Sequence, residues 1–242
     1  MPVRTIRGQS VVITGATSGI GRETALAFAR AGARVVVAGR RQERLDELVA
    51  EVEGRRGEAL AVQTDVAEQT QVERLIERAV ERFGAVDTLV NNAGVGIAAP
   101  FEQQSIEDFR RVMEVNFWGA VYGCKAVVPL LRQRPYGGVI INVSSIAANA
   151  MTEGRSGHYG VTKVAVEAMT RGFAVLALKP RGGVDTPGYR FARGGVIAEG
   201  IPGPEDFAEA AVILATATPT TLTGDALFDD DVIARWGRGG TI

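Results

Sequence analysis

The sequence predicts an α/β fold: a doubly wound parallel sheet with helices on both faces. Three observations carry this expectation. Strand-like and helix-like stretches alternate five times along the chain. The strand-like stretches are almost wholly apolar, which implies burial on both faces rather than one. No linker, composition break or internal repeat divides the 242 residues. One domain over residues 1–242 is therefore expected, a length at which a single core is feasible.

Each element has its own signal. "SVVIT" (10–14) is short, β-branched and closed by a glycine turn, as a buried strand is. The Ala-rich "GIGRETALAFARA" (19–31) reads as a helix stopped by Gly32. "RVVVA" (34–38) is a second strand, and residues 42–53 form a charged amphipathic helix. "ALAVQTD" (59–65) is a third strand. Between residues 68 and 83, Val72, Leu75, Ile76, Ala79, Val80 and Phe83 fall on one helical face. "VDTLVNN" (86–92) and "GVIINVSS" (138–145) are the fourth and fifth strands, with a largely helical stretch over 106–131 between them. Residues 159–178 read as a further helix. The sixth strand is then expected at 180–184, abbreviated or irregular, because Pro180 and two glycines suit a buried strand poorly.

The totals exclude several classes of function. Lys and Arg number 27 and Asp and Glu 28, giving a formal net charge of −1. Nothing there suits a nucleic-acid partner. Cys124 is the only cysteine and His158 the only histidine. An internal disulfide and a multi-histidine metal site are thereby excluded, and a reducing, cytoplasmic setting is expected. No signal-peptide pattern opens the chain, and no apolar run approaches the roughly 20 residues of a membrane span.

Ligands of doubly wound sheets bind at the carboxyl ends of strands, so the residues there matter most. "TGATSGIG" (14–21) follows the first strand. Its glycines at 15, 19 and 21 permit a tight turn and close approach to a phosphate held at the next helix N-terminus. Gly39, Arg40 and Arg41 follow the second strand. An acid in this place binds ribose hydroxyls, whereas a guanidinium suits a 2′-phosphate. Asp65 and Val66 end the third strand, where Asp65 also suits a helix N-cap. Asn92 and Gly94 end the fourth, Ser144 and Ser145 the fifth. In "YGVTK" (159–163), Tyr159 and Lys163 share one helical face, one turn apart. Alone, that spacing also fits a solvated surface pair.

Together, "TGATSGIG", "DV", "NNAG", Asn116 of "VNFWG", "NVSS" and "YGVTK" resemble the short-chain dehydrogenase/reductase family in order and near spacing. The likeness covers residues 8–178 and returns at "TLTGDALF" (221–228). It implies a Rossmann-like domain and an NADP(H)-dependent enzyme that interconverts an alcohol and a ketone or aldehyde. Tyr159 would be the general acid or base, its pKa lowered by Lys163, which would also hold the nicotinamide ribose. Ser145 would bind the substrate oxygen, and Asn116 would hold a water linking Lys163 to solvent. Gly15, Thr17, Ser18, Gly19, Ile20 and Gly21 would wrap the cofactor phosphates. Arg40 and Arg41 would take the 2′-phosphate, Asp65 and Val66 the adenine, Asn92 its ribose, and Val184 the nicotinamide side. The family also implies a small-molecule substrate and a homotetramer or homodimer.

The pocket walls are expected at 94–101, 148–154 and 188–195, with a substrate loop near 185–205. Arg190 and Arg193 in that loop read as solvated arginines, with an acidic substrate as the alternative. His158 is expected to flank the pocket, Cys124 and Trp118 to be packed, and Trp236 to lie at the C-terminal surface or in a subunit contact. About ten residues of sixth strand and turn look absent relative to the usual plan. That shortfall motivates a competing reading, an NADP(H)-binding regulatory or scaffold protein with weakened catalysis.

Overall fold

Alternation of side chains decides which strands are central. β1 (Ser10–Thr14) is buried along its length, with Val11 and Ile13 in one helical layer's core and Val12 in the other's. β2 (Arg34–Gly39) repeats the pattern, with Val35 and Val37 against one layer and Val36 and Ala38 against the other. The computed structural model describes residues 5–97, 99–135, 137–149, 157–173, 175–193, 195, 199–216 and 224–237, without the side chains of residues 101 and 173.

The remaining elements follow in order. α1 (Gly19–Arg30), α2 (Gln42–Gly54), β3 (Glu58–Gln63), α3 (Gln69–Phe83) and β4 (Thr88–Asn91) make the first half. α4 (Ile106–Met113), a π-helical turn (Glu114–Trp118) and α5 (Gly119–Arg132) then lead to β5 (Val139–Val143). α6 (Gly157–Phe173), β6 (Leu176–Lys179), α7 (Pro187–Ala192), α8 (Glu205–Leu214), β7 (Ala226–Phe228) and α9 (Asp229–Trp236) complete the described chain. The seven strands form one parallel sheet in the order β3-β2-β1-β4-β5-β6-β7. Connections run outward in opposite directions from β1 and β4. The crevice between those two carboxyl ends is the switch point where such sheets hold ligands.

The sixth strand is short, as expected, but it lies four residues earlier than 180–184. The helix ends at Phe173, and Leu176–Lys179 pair in parallel register with β5 and β7. The run "FAVLALK" contains good helix formers, so a short apolar stretch was ambiguous between helix and strand. Burial on both faces between two neighbours resolves it as strand. Gly172, one residue before the helix end, was the available stop signal. Seventeen residues of α6 reach about 25 Å, enough to recross the sheet.

Candidate active site

The glycine turn after β1 is shaped by what surrounds it. Gly15 has φ +68°, and a Cβ there would stand 2.7 Å from the Ala93 Cα. The Asn92 amide explains this tightness. Its Nδ2 donates to the carbonyls of Thr14 (2.8 Å) and Gly15 (3.2 Å), and Thr14 Oγ1 accepts from the N–H groups of Asn92 and Ala93. The ends of β1 and β4 are thus sewn together across the switch point. Thr14 and this stitching were missed from the sequence, where Asn92 was assigned to the adenosine ribose. Its NH₂ is committed to the turn, which leaves its Oδ1 for a ligand.

Ser18 is the N-cap of α1 yet makes no side-chain capping bond, so the first-turn N–H groups face the turn without it. Arg41 extends into the same place: Nη2 donates to Thr17 Oγ1 at 2.7 Å and lies 3.4 Å from Ser18 Oγ. Arg40 is exposed and is held by its carbonyl, which accepts from Gln63 Nε2 at 3.0 Å. Of the two arginines, Arg41 is the one at the glycine turn. Asp65 Oδ1 accepts from the Ala67 N–H at 3.1 Å, while Glu68 occupies the N-cap of α3, so the N-cap role suggested for Asp65 is replaced by a local turn. Val66 is buried against Gly119, and Ile20 packs on the core. Val184 is buried just before Thr186, and a Cβ at Gly19 would stand 3.0 Å from the Thr186 Cβ. The segment after β6 therefore faces the glycine turn. These residues fit a dinucleotide: a cradle that only glycine leaves open, free helix N–H groups and a guanidinium at its rim.

On the other side of the crevice, α6 brings Tyr159 and Lys163 to Ser145. Ser145 caps the short 3₁₀ turn Ile146–Ala148 through the Ala147 N–H (3.2 Å). Its hydroxyl is close enough to the Tyr159 phenol to act on that group's pKa. Lys163 is buried; its Nζ donates to the Val143 carbonyl at 2.8 Å and stands 5.5 Å from the Tyr159 ring centroid. Burial lowers the Lys163 pKa to about 8. The Tyr159 phenol differs from expectation. Burial raises its pKa, and the nearby Ser145 hydroxyl offsets this only in part. The ammonium points to a backbone carbonyl, so desolvation of the phenolate outweighs it. The phenol is held in its neutral, proton-donating form.

Asn116 sits in the π-turn that interrupts the helix predicted over 106–131. Its Oδ1 accepts from the Val95 N–H (2.8 Å), and its Nδ2 donates to the Val95 carbonyl (2.9 Å) and Thr162 Oγ1 (3.1 Å). Thr162 in turn donates to the Tyr159 carbonyl at 2.7 Å. The side chain clamps the 94–97 loop to α6. That loop borders the tyrosine, since a Cβ at Gly96 would lie 3.7 Å from the ring.

His158 is buried. Its Nε2 accepts from the Ile97 N–H at 3.2 Å, and burial holds its pKa below the ordinary value. It anchors the pocket loop in the neutral form. Cys124 is packed, and burial pushes its thiol up to about 11. Trp118 departs from expectation: it is 41% exposed, stacked on Tyr122. Trp236 packs partly on the core. Arg190 pairs through two bonds with Asp185 (2.7 and 2.6 Å), and Arg193 lies over the Tyr189 ring. Both arginines are engaged within their own loop. Residues 98, 150–154, 194, 196–198 and 221–223 of the expected walls, substrate loop and C-terminal motif lie outside the described residues.

Residues 9–184 match the model of the family described as short chain dehydrogenase. The chain belongs to the short-chain dehydrogenase family. It is 36% identical to 3beta-hydroxysteroid dehydrogenase 1 of Eggerthella lenta, over 93% of each protein. Some curated relatives are longer, and the chain spans 48% of one and 25% of another. A short-chain type dehydrogenase/reductase from Mycobacterium marinum superposes with a TM-score of 0.85 at 27% identity, covering 92% of this chain and 94% of that one. The 3-ketoacyl-(acyl-carrier-protein) reductase from Brucella melitensis, solved with NADH, gives 0.82 at 31% identity, covering 92% and 97%. Short-chain dehydrogenases are oxidoreductases acting on CH–OH groups with a nicotinamide cofactor, and this chain is one of them. Among the described residues no helix is long and apolar enough to cross a membrane.

Proposed function

We propose that this short-chain dehydrogenase interconverts an alcohol and a ketone or aldehyde with NADP(H), using Tyr159 as general acid in reduction and general base in oxidation. The observation that carries this reading is the meeting of Ser145, Tyr159 and Lys163 across the crevice from the glycine turn. The cofactor, when bound, supplies or accepts the hydride. Tyr159 delivers the proton to the carbonyl oxygen in reduction and takes it back in oxidation. Ser145 holds the same oxygen as negative charge develops on it. Lys163 places a cation beside the tyrosine and offers donors to the ribose. Asn116 fixes the 94–97 loop above them.

The substrate proposed is a small or medium, fairly apolar carbonyl compound. In the substrate loop near 185–205, Phe191 is exposed on α7, while Arg190 is neutralised by Asp185. The sixth strand pairs in register with both neighbours, which supports the enzyme reading over a regulatory or scaffold one.

The phosphate preference rests on Arg41. Wild-type enzyme is expected to use NADPH with higher kcat/KM than NADH, and Arg41→Ala to shrink that ratio by roughly tenfold, the scale of one charge-assisted contact. Equal efficiency with NADH in the wild type would refute the assignment. An acid at position 39 is a poorer test, since a Cβ on Gly39 would lie 2.7 Å from Thr17 Cγ2.

A homodimer or homotetramer is also proposed. Val161 (43% exposed) and Val164 (45%) lie one turn apart on α6, and Trp118 (41%) ends the π-turn packed against that helix. Exposed apolar side chains on one helical surface suit a two-fold contact. Sedimentation should show a dimer or larger at micromolar concentration; a monomer alone would exclude it.

A further inference from the structure

A buried ion pair stands behind the serine turn. Glu167 lies on α6 one turn beyond Lys163, and Lys179 is the last residue of β6; both are buried. Lys179 Nζ contacts Glu167 Oε1 at 3.0 Å. The same carboxylate oxygen accepts from Ser144 Oγ at 2.7 Å, and the same ammonium donates to Asn149 Oδ1 at 2.5 Å. Ser144 and Asn149 flank the short turn that carries Ser145. Both ends of that turn are thus tied to one ion pair. The backbone adds a third tie, from the Ser144 N–H to the Leu178 carbonyl at 2.8 Å. Phe228 of β7 closes the far side, its ring centroid 4.8 Å from the ammonium.

Burying two charges in an interior is costly, and a pair of apolar residues would serve stability as well or better. Ser144, Glu167, Lys179 and Asn149 nevertheless form a connected set whose outer members flank the proposed substrate-oxygen donor. We propose that Glu167 and Lys179 are positioning residues: their ion pair clips the 144–149 turn at both ends and fixes Ser145 against the Tyr159 phenol. The clip acts on the reaction through Ser145, so the inference rests on the reading of Ser145 given above. Its effect should fall on kcat, because a misplaced donor weakens an interaction that strengthens as charge develops.

The test is a set of variants assayed for NADPH oxidation with the best carbonyl substrate of a panel, beside NADPH affinity and thermal midpoint. Lys179→Met is expected to lower kcat by at least ~10-fold, within the range that misplacement of a reacting group costs. NADPH affinity should change less than about twofold, since the clip lies away from the glycine turn. Lys179→Met leaves the Glu167 charge buried and unpaired, so its thermal midpoint should drop. The double variant Glu167→Gln with Lys179→Met removes both charges and should recover much of the midpoint while kcat stays low. Recovery of kcat together with stability would overturn the proposal, because the pair would then matter only for folding. Asn149→Ala, at an exposed position, opens one end of the clip without stranding a charge in the core. It should lower kcat about threefold at an unchanged midpoint, and it keeps the test open if the core variants do not fold. In a Ser145→Ala background, Asn149→Ala and Lys179→Met should each cost less than about twofold further. Full, multiplicative losses there would overturn the clip alone. Normal turnover by Ser145→Ala itself would instead overturn the role of Ser145, and the clip with it.

Discussion

Tyr159→Phe is expected to lower turnover by at least ~10²-fold while NADPH still binds, because it removes the proton donor and keeps the ring. The ring is the part that packs: it lies beside Gly96 and beneath the Lys163 ammonium. The hydroxyl is the part that reacts, and the Ser145 hydroxyl lies near it. The substitution therefore separates chemistry from structure. Ser145→Ala should cost less, since it deletes one hydrogen bond to the reacting oxygen and leaves the acid in place. Stopped-flow binding of NADPH followed by steady-state turnover measures both quantities. A Tyr159→Phe enzyme with near-normal turnover would remove the tyrosine from the mechanism.

Gly21→Ala should be the most damaging change outside the catalytic residues. A Cβ there would run into the Asn92 amide and stand 2.5 Å from the Gly15 carbonyl oxygen. Asn92 cannot swing aside without giving up its bonds to Thr14 and Gly15, which join β1 to β4. Overpacking of this kind costs about 1–3 kcal/mol. Because it opens the phosphate cradle, NADPH affinity should also fall by at least ~10-fold. Gly54→Ala is the matched control: it lies at the end of α2 with nothing within 4 Å, and should leave affinity unchanged and stability equal or slightly higher. Denaturant unfolding and NADPH titration of the two variants check this. Equal affinities in both would show that the turn does not hold the cofactor.

The strands of the first half were legible because each is a short, mostly apolar run, β-branched in β1 and β2, ended by glycine, asparagine or a charged turn. The order of motifs placed the site at the carboxyl edge, and Ser145, Tyr159 and Lys163 do meet there. Three things were hidden, each for a physical reason. The sixth strand was concealed by helix-forming Leu and Ala residues, whose strand conformation is set by neighbours distant in sequence. The phenol's raised pKa depends on burial, which the i, i+4 spacing of Tyr159 and Lys163 does not report. Glu167 and Lys179 carried no motif, and Thr14 and Thr162, though inside "TGATSGIG" and "YGVTK", had no role assigned there. Their roles come from tertiary contacts, such as Lys179 Nζ reaching Asn149 across 30 positions. Asn116 was singled out from the sequence, whereas its clamp on Val95 required the π-turn.

The central claim is that this chain moves a hydride between NADP(H) and a carbonyl compound, rather than merely binding the nucleotide. The direct measurement is oxidation of NADPH by the wild-type enzyme against a panel of ketones and aldehydes that includes a 3-oxosteroid and a 3-ketoacyl thioester, with NADPH binding followed by fluorescence in parallel. The account predicts binding together with NADPH consumption matched one-to-one by alcohol product on at least one compound. Binding with no oxidation on any compound of the panel would contradict it.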